Sequence, residues 1–347
     1  MPSTALPARA SLRDVAQRAN VSVMTVSNVV NGKHARVGEE VRRRVLEAIA
    51  ALNYRPQMRG RSLRLARDFA IGLIVLHPER RFLNDPLNTE VAAGMSNQLA
   101  RDGYGLMVIG AQEIEDLKTK LARISQLDAI AVFAFGERAQ RRADYQVLAE
   151  LRLPMMLIGD DLTEGLADAS FVRQENEAGA RDLAETVLEN GARHILFVRP
   201  LHVWPAMTQR ERGVRAACAG RAVVETIACS EMDFAAIVAA LAGRLAASPR
   251  VDAVMGGNDL FGIAALHAVL RIGWQVPRDL IVTGFNGFAF RDFSVPLLTS
   301  MRSPAYDIGV EAARRLVARI MTGAFEPEGK VFAVTPLPGL TVGRRGG

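Results

Sequence analysis

From Ala70 onward the chain repeats one pattern, a short apolar run followed by a segment of helix length and then another run. "AIGLIVL", "GLMVIGA", "AIAVFAF" and "PMMLIGD" open the series, and "HILFVRP", "AVVETIA", "DAVMGGN" and "LIVTGFN" continue it. Alternation of this kind predicts parallel sheets wrapped by helices. About eight strands, with a change of pattern near "DDLTEGLADASFVRQENEAGA", predict two α/β lobes rather than one sheet. Open sheets of this class bind ligands beyond the carboxyl ends of their strands, so a pocket is expected between the lobes there.

The first part of the chain has a different character. Of the 347 residues, those from 1 to 67 hold 13 Lys plus Arg against 4 Asp plus Glu, a net +9, which leaves −3 for the rest of a chain whose formal charge is +6. Segregated positive charge is the footprint of a polyanion-binding module; a basic disordered arm is the alternative, and the strong periodicity of the segment speaks against it. Ser11 with Asp14 fits a capping box, and Leu12, Val15, Ala16 and Ala19 then share one helical face. Asn20 and Val21 interrupt the pattern. Ser22 can cap a second helix with Val26, Val29 and Val30 on one side. After the loop "NGKHARVGE" a third helix is expected, with Val41, Val45, Ala48, Ile49 and Leu52 inward and Arg42, Arg43 and Arg44 outward. Two short helices joined by a tight turn, with a third closing the core, form a helix-turn-helix, whose second helix enters the major groove of DNA.

"LRDVAQRANVSVMTVSNVVNG", then "VRRRVLEAIAALNYRP" and "RGRSLR", strongly resemble the headpiece and hinge of the LacI family of bacterial transcription regulators, continuously from Ser11 to about Leu65. The resemblance implies base reading by the first two residues of the second helix and by one a turn later, here Val23, Met24 and Asn28. Val23 and Met24 offer apolar contact to thymine methyls, and Asn28 can pair with adenine, so readout leans on A·T pairs. Core packing is the plainer reading of Val23. Ser22, Thr25, Ser27 and Asn31 are assigned to phosphates or caps. The resemblance further implies a hinge helix from about Gln57 to Arg64, including Arg59, Gly60 and Arg61. Leu63 matches the leucine that wedges into the minor groove.

The body resembles the same family more loosely, in "DPLNTEVAAGM", "ENEAGARDLAETVLENGARHI", "GGNDLFGIAALHAVLRIGWQVPRDLIVTGFNG" and "PLLTSMRSPAYDIGVEAARRL". This implies a periplasmic-binding-protein-like core whose lobes hold an effector, usually a sugar. The expected organisation is an arm over 1–10, the helix-turn-helix over 11–55, a hinge over 56–67 and a core over 68–345. Within that core the first lobe takes about 68–170 plus 299–324 and the second about 171–298 plus 325–345. Carried over by position, the effector residues are Arg210, from an R-x-x-G element ending at Gly213, the pair Asn258 and Asp259, and Asn286 in "GFNG". Asn88, where the family often has an aromatic, and Ser303 near Arg302 complete the set, and Trp204 can stack on a sugar ring. Asn286 and Gly287 stand where sugar-binding members often carry aspartates. That departure leaves Arg210 less opposed and keeps two effector classes open, an acidic sugar and a neutral sugar or polyol. A surface Arg210 and a packing Trp204 are the bland alternatives.

Nothing points to catalysis. His34, His77, His194, His202 and His267 are scattered, outside any metal-ligand spacing, and read as structural. No nucleophile elbow, phosphate loop or dinucleotide fingerprint is present. Cys218 and Cys229 suit a reducing compartment. "MPSTALPARA" has no signal-peptide core and no run spans a membrane, so a cytoplasmic location is expected. The reading is therefore a DNA-binding repressor of carbohydrate or sugar-acid genes under effector control, with no cofactor and no metal. One helix-turn-helix reads a half-site, which calls for a homodimer on a pseudo-palindromic operator. The competing readings are an exported solute-binding protein and a cytosolic sugar-binding or sugar-processing protein whose head binds DNA non-specifically. Removal of the first 66 or so residues discriminates between regulator and enzyme: a regulator keeps ligand binding and loses DNA binding, as titration and mobility shift will report, whereas an enzyme keeps turnover.

Overall fold

The computed structural model describes residues 10–30, 37–54, 67–123, 127–247 and 250–344. The chain divides into two units, Met1–Asp68 and Phe69–Gly347.

The first unit is built on three helices, α1 (Leu12–Ala19), α2 (Val23–Val30) and α3 (Glu39–Ala51). Ser11 and Asp14 cap α1 reciprocally, the Ser11 oxygen accepting the Asp14 N–H and the Asp14 carboxylate accepting the Ser11 N–H. Asn20 ends α1 with φ 50°, a left-handed conformation that Asn tolerates better than most side chains. The Ser22 Oγ accepts the Thr25 N–H at 3.1 Å and starts α2. Val15, Ala16, Ala19, Val26, Val29, Val45 and Ala48 close the core together with Tyr54. Arg42 and Arg43 are exposed as expected, but Arg44 is half-buried, at the flank of the Val41 and Val45 face.

The second unit holds two parallel sheets. One has six strands and the other four. The eight expected runs form β1 (Ala70–Leu76), β2 (Gly105–Ala111), β3 (Ala129–Phe133), β4 (Met155–Ile158), β6 (His194–Pro200), β7 (Val223–Cys229), β8 (Ala253–Gly256) and β9 (Ile281–Thr283). Central strands covered on both sides carry no polar face, which is why the runs read as unbroken. In β1, Ile71, Leu73 and Val75 face one core while Ile74 and Leu76 face the other. In β6, Leu196 and Val198 alternate with Ile195 and Phe197 in the same way.

Helices α4 (Pro86–Asp102), α5 (Ile114–Leu121) and α6 (Arg138–Ala149) cover the first sheet, joined by α11 (Ala305–Thr322) from far along the chain. The second sheet is covered by α7 (Asn176–Glu189), α8 (Pro205–Cys218), α9 (Phe234–Ala246) and α10 (Asp259–Arg271).

Four strands escaped the sequence reading: β5 (Ala169–Gln174), β10 (Ser300–Arg302), β11 (Lys330–Phe332) and β12 (Thr335–Leu337). β5 alternates half-buried and buried positions, and the other three are three residues long, too short for a periodicity to show. Their pairing places these segments in the sheets. β5 and β11 both belong to the first sheet, so that sheet runs on to Gln174 and takes a last strand ending at Phe332. β10 pairs antiparallel with β12 before α11 begins.

Gly213 lets α8 lie directly on α7: a Cβ there would stand 2.2 Å from the Glu177 carbonyl oxygen and 3.0 Å from the Arg181 nitrogen. Gly213→Ala must therefore push two helix backbones apart. We expect it to cost about 1–3 kcal/mol, read as a lower urea midpoint for the second unit, with the first unit's helices unaffected.

Candidate functional site

The first unit presents its functional face at the start of α2. Val23 is 43% and Met24 69% exposed, while Val26 and Val29 supply the core, which removes the packing reading of Val23. Thr25, Ser27 and Asn28 are half-buried along the same helix. The Ser22 and Thr25 hydroxyls lie 2.9 Å apart, so both belong to the cap. Asn31 and the hinge positions Gln57, Arg59, Gly60, Arg61 and Leu63 lie outside the described residues, as does most of the expected arm.

In the second unit, strand ends converge on a cleft of about 230 Å³. β1 leads to His77, β6 to His202 and Trp204, β7 to Glu231, β8 to Asn258 and β9 to Asn286, and all of these line it. This is the carboxyl-end crevice expected of parallel sheets. Asp85 enters from the first lobe, where it caps α4 by accepting the Leu87 N–H at 2.9 Å. A deeper recess of about 70 Å³ reaches Asn88, Met207 and Arg210.

Arg210 is 1% exposed, and each of its three nitrogens donates a hydrogen bond. Its Nε donates to Asn176 Oδ1 at 2.9 Å, Nη1 to the Gly257 carbonyl at 2.6 Å and Nη2 to Asn286 Oδ1 at 2.8 Å. The guanidinium carbon lies 3.8 Å from the centre of the Phe285 ring. Burial lowers its pKa to about 9, which leaves it charged at neutral pH. Asn286 holds φ 101°, a conformation rare for any residue with a side chain. Its N–H donates to the Met301 carbonyl, its own carbonyl accepts from Ser303 and its side chain accepts from Arg210, so the strained backbone is pinned from three sides.

Several expectations need correction. Asp259 is wholly buried and lies beneath the cleft rather than on its wall, accepting from the Ser300 hydroxyl and the Phe288 N–H. Burial raises its carboxyl to about 6. Ser303 also stands back from the cleft and donates to Gln174 at the lobe crossover. Arg302 is exposed elsewhere. Asn88 does reach the recess, but its amide is spent on the Phe82 carbonyl at 2.8 Å. Asn258 caps α10 through its oxygen and donates its amide to Glu231 at 2.6 Å. Trp204 lines the cleft and also packs 5.2 Å from His77 and 5.8 Å from Phe135 of the first lobe. Nearby the Gly136 N–H donates to the Val203 carbonyl at 2.7 Å, joining the two lobes.

Arg210 is not less opposed either. Asp259, Asp85 and Glu231 all surround it with negative charge. The latter two are functional candidates that the sequence reading missed, together with His77, His202 and Phe288. Each follows a strand or caps a helix at the carboxyl edge of a sheet, and that position was the available signal. The Glu231 side chain is exposed at the cleft edge, and partial desolvation against the cleft wall, with Asp85 adding to it, pushes its carboxyl up to about 7. Burial raises Asp85 as well, and burial lowers His77.

A capped helix-turn-helix with exposed side chains at its recognition edge, followed by a two-lobed α/β unit with a polar cleft, defines the class of ligand-responsive DNA-binding regulators. Residues 11–57 match the model of bacterial regulatory proteins of the lacI family, and residues 184–342 match a periplasmic binding protein-like domain. The ribose operon repressor of Bacillus subtilis is 31% identical over 316 residues, covering 90% of this chain and 92% of the relative. The chain belongs to the lacI family. Among solved structures, the transcriptional regulator CelR-cellobiose complex superposes with a TM-score of 0.70 at 27% identity, over 96% of this chain and 100% of the other. The lac repressor dimer bound to operator and the anti-inducer ONPF shares the fold, with a TM-score of 0.79 at 19% identity over 96% and 99% of the two chains. The protein is a DNA-binding transcription regulator with a periplasmic-binding-protein-like core.

A carboxyl raised from 4.5 to about 7 on folding binds more protons in the native than in the unfolded state across that window. Its ionisation therefore subtracts stability as pH rises through the window, and fully so above it. Glu231→Gln keeps an acceptor for Asn258 and removes the charge. We expect the ligand-free variant to melt above the wild type at pH 8, with the gap closing toward pH 5; a gap that is constant with pH would exclude this account.

Proposed function

We propose that the protein represses genes for uptake or breakdown of a carbohydrate or similar hydroxyl-rich metabolite, binding a pseudo-palindromic operator as a homodimer in the bacterial cytoplasm. The cleft is the observation that carries this reading. Trp204 and Phe288 offer apolar faces, while Asp85, Glu231, Asn258 and Asn286 offer polar groups at its edges, which suits a small ring with hydroxyls on its rim. Asp85 and Glu231 supply the acceptors missing after β9, and their charge favours a neutral sugar or polyol over an acidic one. The ribose repressor and CelR with cellobiose supply the analogy for the effector class. Among the described residues no helix is long and apolar enough to cross a membrane.

On the operator, Val23, Met24 and Asn28 read bases, with Ser22, Thr25, Ser27 and Asn31 at phosphates or caps and Leu63 as the minor-groove wedge. Effector binding favours one arrangement of the lobes, and operator DNA must change effector affinity by the same factor. Selection of bound fragments from the source genome, followed by mobility shift with a sugar panel, tests the whole reading. A shared palindrome whose complex responds to a sugar supports it; retention of DNA without any motif refutes it. Asn28→Ala is expected to weaken the specific complex by about tenfold to a hundredfold while changing binding to random DNA by less than about twofold. Equal losses on both would remove Asn28 from the base-reading set.

A further inference from the structure

The charges around the cleft do not balance. Arg210 on α8 is the cation that steadies both cleft carboxylates, and three carboxylates act on it in return. Asp259 on α10 answers it from beneath, out of reach of a ligand. Asp85 at the start of α4 and Glu231 after β7 then remain on the cavity wall, one from each lobe. Glu79 and Arg81, of opposite sign, also line the cleft and together add no net charge to it. His77 accepts the Glu79 N–H through Nδ1 and is held toward its neutral form by burial, and His202 stands across from it.

Each of the two wall carboxylates already takes one neutral donor, Leu87 N–H for Asp85 and the Asn258 amide for Glu231. Their like charges disfavour joint ionisation, and the Glu231 carboxyl is raised first by desolvation and then by Asp85. An anionic ligand would worsen the imbalance. A neutral one would leave the two carboxyls in competition for ionisation on the same cavity wall. A ligand with one positive charge removes most of the conflict, and the aromatic rings of Trp204 and Phe288 line the same cavity.

We propose that the effector is a hydroxyl-bearing amine of the amino-sugar class, its protonated nitrogen placed between Asp85 and Glu231. This rests on the regulator reading above and names the ligand class for that cleft.

The test uses the full-length protein and calorimetric titration at pH 7 with matched sets: glucosamine, glucose and glucuronate; galactosamine, galactose and galacturonate; mannosamine, mannose and mannuronate. At least one amine is expected to bind about tenfold or more tighter than its neutral partner, and the acid least of all. Between pH 5.5 and about 6.5, where the sugar amines remain almost wholly protonated, the amine should bind more tightly as pH rises, with proton release, because both carboxylates must ionise. Glu231→Gln and, separately, Asp85→Asn, which retains a capping side chain, should each collapse the preference for the amine over its neutral partner. A neutral or acidic member that binds as tightly as its amine, affinity that weakens with rising pH, or failure of every amine to bind overturns the assignment. The regulator reading fails on different data, since it requires a specific operator complex in mobility shift. A neutral sugar that releases that complex would leave it standing and remove only the charged effector.

Discussion

The buried guanidinium of Arg210 holds the second lobe's half of the cleft together. Placing a charge in a site 1% exposed costs several kcal/mol unless hydrogen-bond acceptors and surrounding opposite charge answer it. Here the acceptors come from three separate segments, Asn176 at the start of α7, Gly257 after β8 and Asn286 after β9. The side chain therefore fixes three strand ends relative to one another and to α8. The close approach of α8 to α7 at Gly213 brings Nε within reach of Asn176. The strained backbone of Asn286 persists because the same network over-determines it.

Much of this architecture was legible beforehand, for a physical reason. Strands covered on both faces must be apolar at every position, and α1 to α3 must each show an inward face to close so small a core, so both patterns are strong. β5 was not legible because half of its positions are only partly buried, and its "ASFVRQ" reads like a loop edge. β10 and β12 exist only as a short ribbon between distant segments, which local sequence does not encode.

The site was legible in part. Arg210, Asn258, Asn286 and Trp204 meet at the cleft as their positions after strands implied. Asp259 misled because Asn258 and Asp259 are adjacent in sequence yet straddle the first turn of α10. One residue caps the helix facing the cleft, while the next turns inward to Ser300 and Phe288. Asp85 and Glu231 were missed because their significance is a matter of charge, and charge in a cleft depends on which loops meet there. Neither stretch is unusual by itself: Asp85 reads as an ordinary cap before Pro86, and Glu231 as a polar residue in a turn.

The same distinction separates what holds the site together from what sets its specificity. All three direct acceptors of Arg210 are neutral, so its charge must be answered from the surroundings, and the one carboxylate that answers from below is sealed off. Any ligand thus meets the two carboxylates that remain, together with the contacts that join the lobes, Gly136 to Val203 and Phe135 to Trp204. A molecule that satisfies Asp85 on one lobe and Glu231 on the other adds an attraction across the contacts that already join them. Its binding energy then bears directly on the lobe arrangement, which is the equilibrium an effector must shift to be felt at DNA.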